Sequence, residues 1–109
     1  MINIIKVLYD KDYLIEKDLR FAGKVIKLRN GKNYQKEYKY KFQILQFKNN
    51  EWKQLVRIDN STHFGRPQQH IHIKNKIEKT NIKLENIMEY IINLAKKLMK
   101  EDQDDNKSN

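Results

Sequence analysis

All three histidines of this 109-residue chain, His63, His70 and His72, fall within one stretch of ten residues. Histidine titrates near neutral pH and is the usual general acid, general base or metal ligand of a functional site. In an extended strand, His70 and His72 project from the same face, about 7 Å apart along the chain. The spacing therefore allows both imidazoles to line one cleft or to bind one metal ion.

Arg57 and Asp59 come shortly before the histidines, at the end of a strand-like run. If that run pairs with the strand of His70, both side chains project beside the imidazoles. A carboxylate next to an imidazole can hold its tautomer or raise its pKa, and an arginine can bind a phosphate through two parallel hydrogen bonds. We therefore expect a catalytic site formed by Arg57, Asp59, His63, His70 and His72.

Three other interpretations of these residues stay open. His70 and His72 can be two half-exposed polar positions of a strand, with His63 a loop residue that has no role. The run from Asp59 to Thr62 can be a turn closed by its own side chains. Alternatively, His70 and His72 bind a metal, which requires a third ligand from His63 or Asp59; we expect no metal and no other cofactor.

Residues 34–47 alternate between aromatic and basic side chains. Tyr38, Tyr40 and Phe42 share one parity, whereas Lys39 and Lys41 hold the other. The rings could stack on nucleic-acid bases, but a period of two is typical of a strand with one buried and one solvated face. We therefore expect the rings in the core and a phosphate-binding surface formed by Lys36, Lys39, Lys41 and Lys48, with Arg66 from the following loop.

The net charge of +9 comes from 23 lysines and arginines against 14 acids. The last nine residues carry four acids and one lysine, a net charge of −3, which leaves +12 for residues 1–100. Such a charge favours nucleic acid or an acidic protein as a partner, although a chain rich in Lys, Ile and Asn can also be basic through composition alone. The sequence contains no cysteine, which excludes disulfides and thiol chemistry and is consistent with the cytoplasm. No apolar run approaches the ~20 residues of a membrane span.

The elements that must position these residues are mostly strands. Alternation predicts strands at 3–9, 19–28, 34–47, 52–59 and 70–73, with tight turns at Asn30-Gly31 and at 48–51. Trp52, Val56 and Ile58 are expected on one face. Apolar residues at helical spacing predict a helix over 82–100, and the acidic stretch 101–109 is expected to be disordered. The predicted fold is α+β: one domain, residues 1–100, with an antiparallel meander of four to five strands packed against a C-terminal helix.

The segment Arg57-Ile58-Asp59-Asn60-Ser61-Thr62-His63, followed by Pro67 and His70-Ile71-His72, resembles the TumE-like toxins of prokaryotic toxin–antitoxin systems. Those proteins carry an Arg-aromatic-Asp-Asn run followed by His, and then a Pro and a His-rich strand. The resemblance covers about residues 35–100. This chain departs from the pattern at Ile58, where the family has an aromatic residue, and at Gln68-Gln69, where it tends to have another His. The resemblance implies a small toxin that acts on RNA and is silenced by an antitoxin protein.

The leading hypothesis is a cytoplasmic, RNA-directed toxin that cleaves RNA without metal, using His70 and His72 as acid and base. Arg57 and Arg66 would stabilise the developing charge, and Asp59 would orient an imidazole. The alternative is a non-enzymatic basic binding module or inhibitor, encoded by a mobile element, with nucleic acid or an acidic protein as its partner. A third hypothesis is a metal hydrolase built on His and Asp ligands. The sequence leaves the oligomeric state open.

Overall fold

A computed structural model describes residues 4–28, 38–61 and 68–107 of the chain. It has an α+β arrangement in which six strands form one antiparallel sheet in the order of the sequence, followed by one C-terminal helix. The elements are β1 (Ile4–Glu16), β2 (Leu19–Leu28), β3 (Tyr38–Lys48), β4 (Glu51–Asp59), β5 (His70–Ile73), β6 (Lys76–Lys79) and α1 (Leu84–Lys107). The predicted meander with a C-terminal helix is confirmed, but with six strands instead of four to five.

The largest differences from the predicted strands concern the length of β1 and the presence of β6. β1 has 13 residues, from Ile4 to Glu16, where the sequence predicts a short strand at 3–9. β6 was not predicted, because Lys-Ile-Glu-Lys contains a single apolar residue and all four side chains are exposed. A strand at a sheet edge can pair through its backbone without burying a hydrophobic face. β2 and β5 have the predicted bounds, whereas the predicted turn at Asn30-Gly31 lies outside the described residues.

The hairpin of β3 and β4 contains a bulge that changes which side chains share a face. A two-residue turn joins the strands, with Asn49 and Asn50 both in the left-handed region (φ 55° and 64°), which asparagine tolerates better than most residues. Val56 pairs with Ile44, but the next pair is Gln54 with Leu45, so Leu55 is an extra residue on β4. The extra residue reverses the alternation. The prediction that Trp52 shares a face with Val56 and Ile58 is therefore wrong.

The core lies between one face of the sheet and α1, which packs on β3 and β4. Strand residues such as Phe21, Ile44 and Ile58 meet Ile87 and Ile91 of the helix, and all five are fully buried. Each buried aliphatic or aromatic side chain contributes roughly 1.5–3 kcal/mol, which makes this interface the main source of stability.

The helix departs from its prediction at both ends. α1 begins at Leu84, two residues later than expected, and continues to Lys107, over most of the stretch that was expected to be a disordered tail. Leu84 and Met88, expected on its buried stripe, are 41% and 38% exposed. Within residues 4–28, 38–61 and 68–107, no helix combines the length and hydrophobicity needed to cross a membrane.

The other face of the sheet, which we call the open face, is the one on which α1 does not pack. The pairing register identifies the side chains that project from this face, since residues directly opposite each other on antiparallel strands project to the same side. One row crosses β1 to β6 and a second row lies beside it. The first contains Asp10, Lys24, Lys41, Asp59, His70 and Lys79, and the second contains Asp12, Ala22, Gln43, Arg57, His72 and Ile77. Most charged candidate residues of the described chain therefore lie on the open face.

Candidate functional site

The structure brings four of the five predicted catalytic residues together. Asp59 pairs with His70 and Arg57 with His72 across β4 and β5, so that all four side chains project from the open face. Ile71 and Ile58, which alternate with them, are buried on the helix side. The alternation of both strands thus places the polar cluster and the core on opposite faces. The fifth residue, His63, lies outside the described residues.

The Asp59 carboxylate is buried and contacts Ser61, His70 and Arg57. Its Oδ1 accepts hydrogen bonds from Ser61 Oγ (2.6 Å) and from the Ser61 backbone amide (3.0 Å), and it lies 3.1 Å from His70 Nε2. Its Oδ2 lies 2.8 Å from Arg57 Nε. Burial by itself would raise the pKa of Asp59. The two Ser61 hydrogen bonds and the charges of His70 and Arg57 outweigh burial, so the pKa of Asp59 is lower than usual. The site therefore holds an ionised carboxylate at neutral pH.

His70 is enclosed by protein. Its side chain is 1% exposed, and its Nδ1 lies 2.9 Å from the backbone oxygen of Gln68. Because a carbonyl oxygen only accepts hydrogen bonds, this contact requires a proton on Nδ1. The other ring nitrogen, Nε2, faces Asp59. His70 therefore links the start of β5 to the end of β4, and it cannot contact a substrate unless the site rearranges.

His72 is the more accessible imidazole, with a side chain that is 14% exposed. Arg57 Nη2 lies 2.9 Å from its Nε2 and 3.4 Å from its Nδ1. A guanidinium only donates hydrogen bonds, so the closer nitrogen, Nε2, accepts from Arg57 and carries no proton in this arrangement. The rings of His70 and His72 are 4.8 Å apart between centroids. His72 is therefore held as an acceptor beside a fixed cation.

The cluster also has the composition of a metal site. One ligand atom each from Asp59, His70 and His72 can be chosen so that all three lie within 4.8 Å of one another, and two imidazoles with one carboxylate suit zinc or iron. However, Arg57 lies 2.8 Å from Asp59 Oδ2 and 2.9 Å from His72 Nε2. A metal bound through these two atoms would have to displace the guanidinium. The geometry therefore favours Arg57 as the resident cation of the cluster.

Further basic residues surround the cluster on the open face. Lys41 lies opposite Asp59 on β3, with Lys24 next to it on β2 and Lys39 two residues away. Where Ala22 leaves space, the sheet has a shallow depression of about 120 Å³. Its lining includes the lysines Lys24 and Lys41 and also the carboxylates of Asp10 and Asp12. The predicted phosphate contacts Lys39 and Lys41 are thus close to the histidines. Lys48 is not, since it lies at the far end of β3 opposite Glu51; Lys36 and Arg66 lie outside the described residues.

Two side-chain amides, which were not predicted from the sequence, hold the strands of the site in place. Asn60, which is buried, accepts from the Tyr40 amide (3.0 Å) and donates to the Tyr38 carbonyl (2.8 Å), and so fixes the end of β4 against β3. Gln69 donates to Tyr40 Oη (2.9 Å) and to the Ile82 carbonyl (2.8 Å), and accepts from Thr80 Oγ1 (2.7 Å). These partners of Gln69 are 11 to 29 residues away in sequence, so no local pattern could reveal them.

Comparison of the chain with protein-family models, with curated proteins and with solved structures gave no match.

Proposed function

We propose that this protein binds RNA on the open face of its sheet and cleaves it without metal, as a toxin of a toxin–antitoxin system. The observation that carries the proposal is the contact of Arg57 with both Asp59 and His72, which places an accepting imidazole and a fixed cation side by side. The neighbouring lysines Lys24, Lys39 and Lys41 give the surface the charge that a phosphate backbone requires. An RNA target fits the cytoplasmic location and the antitoxin partner that were expected from the sequence.

Cleavage of RNA by attack of its own 2′-hydroxyl requires a base, an acid and a cation. When Arg57 turns its Nη2 donor to the bound phosphate, His72 Nε2 can take the proton of a ribose 2′-hydroxyl. The 2′-oxygen then attacks the adjacent phosphorus, and the 5′-oxygen leaves with a proton from an acid. The products are a 2′,3′-cyclic phosphate and a 5′-hydroxyl. Arg57 stabilises the charge that develops on the phosphate oxygens. His63, which the sequence predicts as a further catalytic residue, is our proposed source of the acid proton.

In this proposal His70 changes its role. The sequence suggested that His70 and His72 act as acid and base on the same phosphate, but a side chain that is 1% exposed does not contact a substrate. We assign His70 as a positioning residue, which acts through Asp59 and holds the carboxylate against Arg57. Because the Asp59 carboxylate orients the Arg57 guanidinium, and this guanidinium contacts His72, His70 influences the position of Arg57 relative to His72.

A specific observation favours a second candidate, a nucleic-acid-binding module without catalysis. Asp59 and His70 are both buried and engaged with protein groups, which is also what a structural polar cluster requires. In that case the lysines of the open face carry the function alone. Binding would then be salt-sensitive and independent of His72.

A cleavage assay separates these candidates. The substrate is a single-stranded RNA with a fluorophore and a quencher, and a matched strand carries 2′-deoxyribose throughout. We expect cleavage of the RNA only, with and without EDTA, and a loss of about 10²- to 10⁴-fold in the His72→Ala variant. Lys97→Ala, on the helix and away from the open face, is the matched control.

Each other outcome has a defined meaning. If wild type does not cleave but binds RNA as tightly as His72→Ala does, the enzyme proposal fails and the binding module stands. Cleavage that EDTA abolishes would instead assign the site to metal hydrolysis, and cleavage of the deoxy strand would exclude attack by a 2′-hydroxyl.

A further inference from the structure

The bulge at Leu55 gives Trp52 an unexpected environment. Because the alternation of β4 is reversed there, Trp52 pairs with Phe47 on the open face instead of pointing toward the helix. The two rings lie 5.2 Å apart between centroids and are tilted by 55°. Phe47 is 39% exposed. A large aromatic pair that is not buried in the core lies on the same face as the candidate site.

Arg20 joins this pair from the neighbouring strand. Its guanidinium carbon lies 5.7 Å from the centre of the Trp52 ring, within the range of a cation–π contact. Asp12 holds the other side of the guanidinium through a two-pronged ion pair, in which Arg20 Nη2 lies 3.0 Å from Asp12 Oδ2. The guanidinium is therefore oriented by two partners while its side chain remains 38% exposed. Phe47 and Arg20 are both partly exposed, and Trp52 contacts both.

The aromatic group and the Arg57–His72 pair are connected along β4. Gln54, which follows Trp52 by two residues, accepts a hydrogen bond from Arg57 Nη1 at 3.5 Å. Arg57 lies five positions after Trp52, a distance of roughly 16 Å at about 3.3 Å per residue. A short single strand can span this distance, with one base on the aromatic group and a phosphate at Arg57.

The charge of the open face indicates what kind of strand this is. Its described basic side chains outnumber its acidic ones: Arg20, Lys24, Lys39, Lys41, Arg57 and Lys79 against Asp10, Asp12 and Asp59. Aromatic rings and arginine planes between cations are the features on which proteins stack unpaired bases. A base within a duplex is already stacked and does not expose its plane.

We propose that Phe47, Trp52 and Arg20 form a stacking subsite for an unpaired base of a single-stranded RNA whose phosphate is held at Arg57. This inference rests on the proposed function and narrows its substrate to single strands. It also assigns binding roles to three residues that the sequence did not connect with RNA.

The subsite has a direct reporter, since Trp52 is the only tryptophan of the chain. A base that stacks in the subsite changes its environment and quenches its fluorescence. The probes are a short oligouridylate, an abasic ribose-phosphate chain of the same length, and the oligouridylate annealed to its complement. Binding of each probe is measured independently by the fluorescence anisotropy of a label on the strand. We expect saturable quenching of Trp52 by the single-stranded oligouridylate and none by the other two.

Variants of Phe47 test the same subsite by affinity. Phe47→Leu removes the ring at an exposed position and should weaken oligouridylate binding about tenfold, while leaving abasic binding unchanged. Phe47→Tyr keeps the ring and should bind as wild type does. Circular dichroism and thermal unfolding establish that both variants are folded.

The outcomes distinguish this inference from the proposed function. If oligouridylate is bound or cleaved but Trp52 is not quenched and Phe47→Leu binds normally, the stacking subsite is overturned and the proposed function stands. Equal quenching by the abasic chain would also overturn the subsite, because the bases would then not contribute. If no probe binds and no RNA is cleaved, both the proposed function and the subsite fail.

Discussion

Asp59 and His70 lie directly opposite each other on β4 and β5, with Asp59 Oδ1 3.1 Å from His70 Nε2 and both side chains almost completely removed from solvent. The contact joins two strands at the point where the chain leaves the sheet and later returns to it. It also leaves Oδ2 of the same carboxylate for Arg57. One buried carboxylate therefore connects the stability of the sheet to the geometry of the candidate site.

Replacing this carboxylate should destabilise the protein in a pH-dependent way. Asp59→Asn leaves Arg57 and His70 without their charged partner, which should lower the free energy of unfolding by about 3 kcal/mol at pH 7. Because the pKa of Asp59 is lowered in the folded state, its contribution is complete above the ordinary carboxyl pKa of about 3.9. The contribution disappears as the pH falls through the folded-state pKa.

Urea unfolding of wild type and Asp59→Asn, at pH 7 and in steps below about pH 4, measures this difference. The two free energies should converge as the solution is acidified. Asp10→Asn, at an exposed position of β1, is the control. A difference between wild type and Asp59→Asn that stays constant over the acid range would contradict the assignment.

Removing Arg57 should create a metal site. The guanidinium contacts Asp59 Oδ2 and His72 Nε2, two atoms that are suitable zinc ligands together with a nitrogen of His70. In Arg57→Ala these atoms are released, so Zn²⁺ should raise the unfolding temperature of the variant and leave that of wild type unchanged. Arg20→Ala is the matched control, since it removes an arginine of the open face that does not contact the cluster. A zinc-dependent shift of equal size in wild type would show that Arg57 does not exclude the metal.

The lysines of β3 should contribute affinity that depends on salt. For a single strand, the slope of log K against log salt falls by about 0.7 for each phosphate that the protein no longer neutralises. The double variant Lys39→Ala/Lys41→Ala should therefore bind single-stranded RNA more weakly, with a slope reduced by about 1.4. The measurement is fluorescence anisotropy over a salt series, with Lys96→Ala/Lys97→Ala on the helix as the control. An unchanged slope would exclude these lysines from the phosphate path.

Gln69 should act as a structural link between the site and the helix. Its amide contacts Tyr40 Oη, Thr80 Oγ1 and both backbone groups of Ile82. Gln69→Ala leaves several part-buried polar groups unsatisfied and should cost about 2–3 kcal/mol of unfolding free energy. Gln46→Ala, at the other end of β3, should cost much less. If chemical denaturation shows equal losses for both variants, the hydrogen bonds of Gln69 do not stabilise the fold as inferred.

Local patterns were sufficient for a large part of this fold. Alternation located β2 and β5 with their final bounds, separated Ile71 from His70 and His72, and predicted that Arg57 and Asp59 would lie beside the histidines if the two strands paired. Helical spacing located α1 and its buried residues Ile87 and Ile91. These features depend on a period of two or 3.6 residues, which is present in the sequence itself.

The remaining features depend on contacts between distant residues. Because of a single bulge at Leu55, Trp52 lies on the open face. The alternation of residues along β4 does not reveal this bulge, because it is a property of the pairing between β4 and β3. Burial of His70 results from packing against Gln68 and Asp59, and β6 results from backbone pairing with β5. The sequence alone determined which residue types are available for chemistry and which strands carry them. The tertiary structure decided which of them are buried, which contact each other and which face they share, because burial and cross-strand register are properties of the packed sheet.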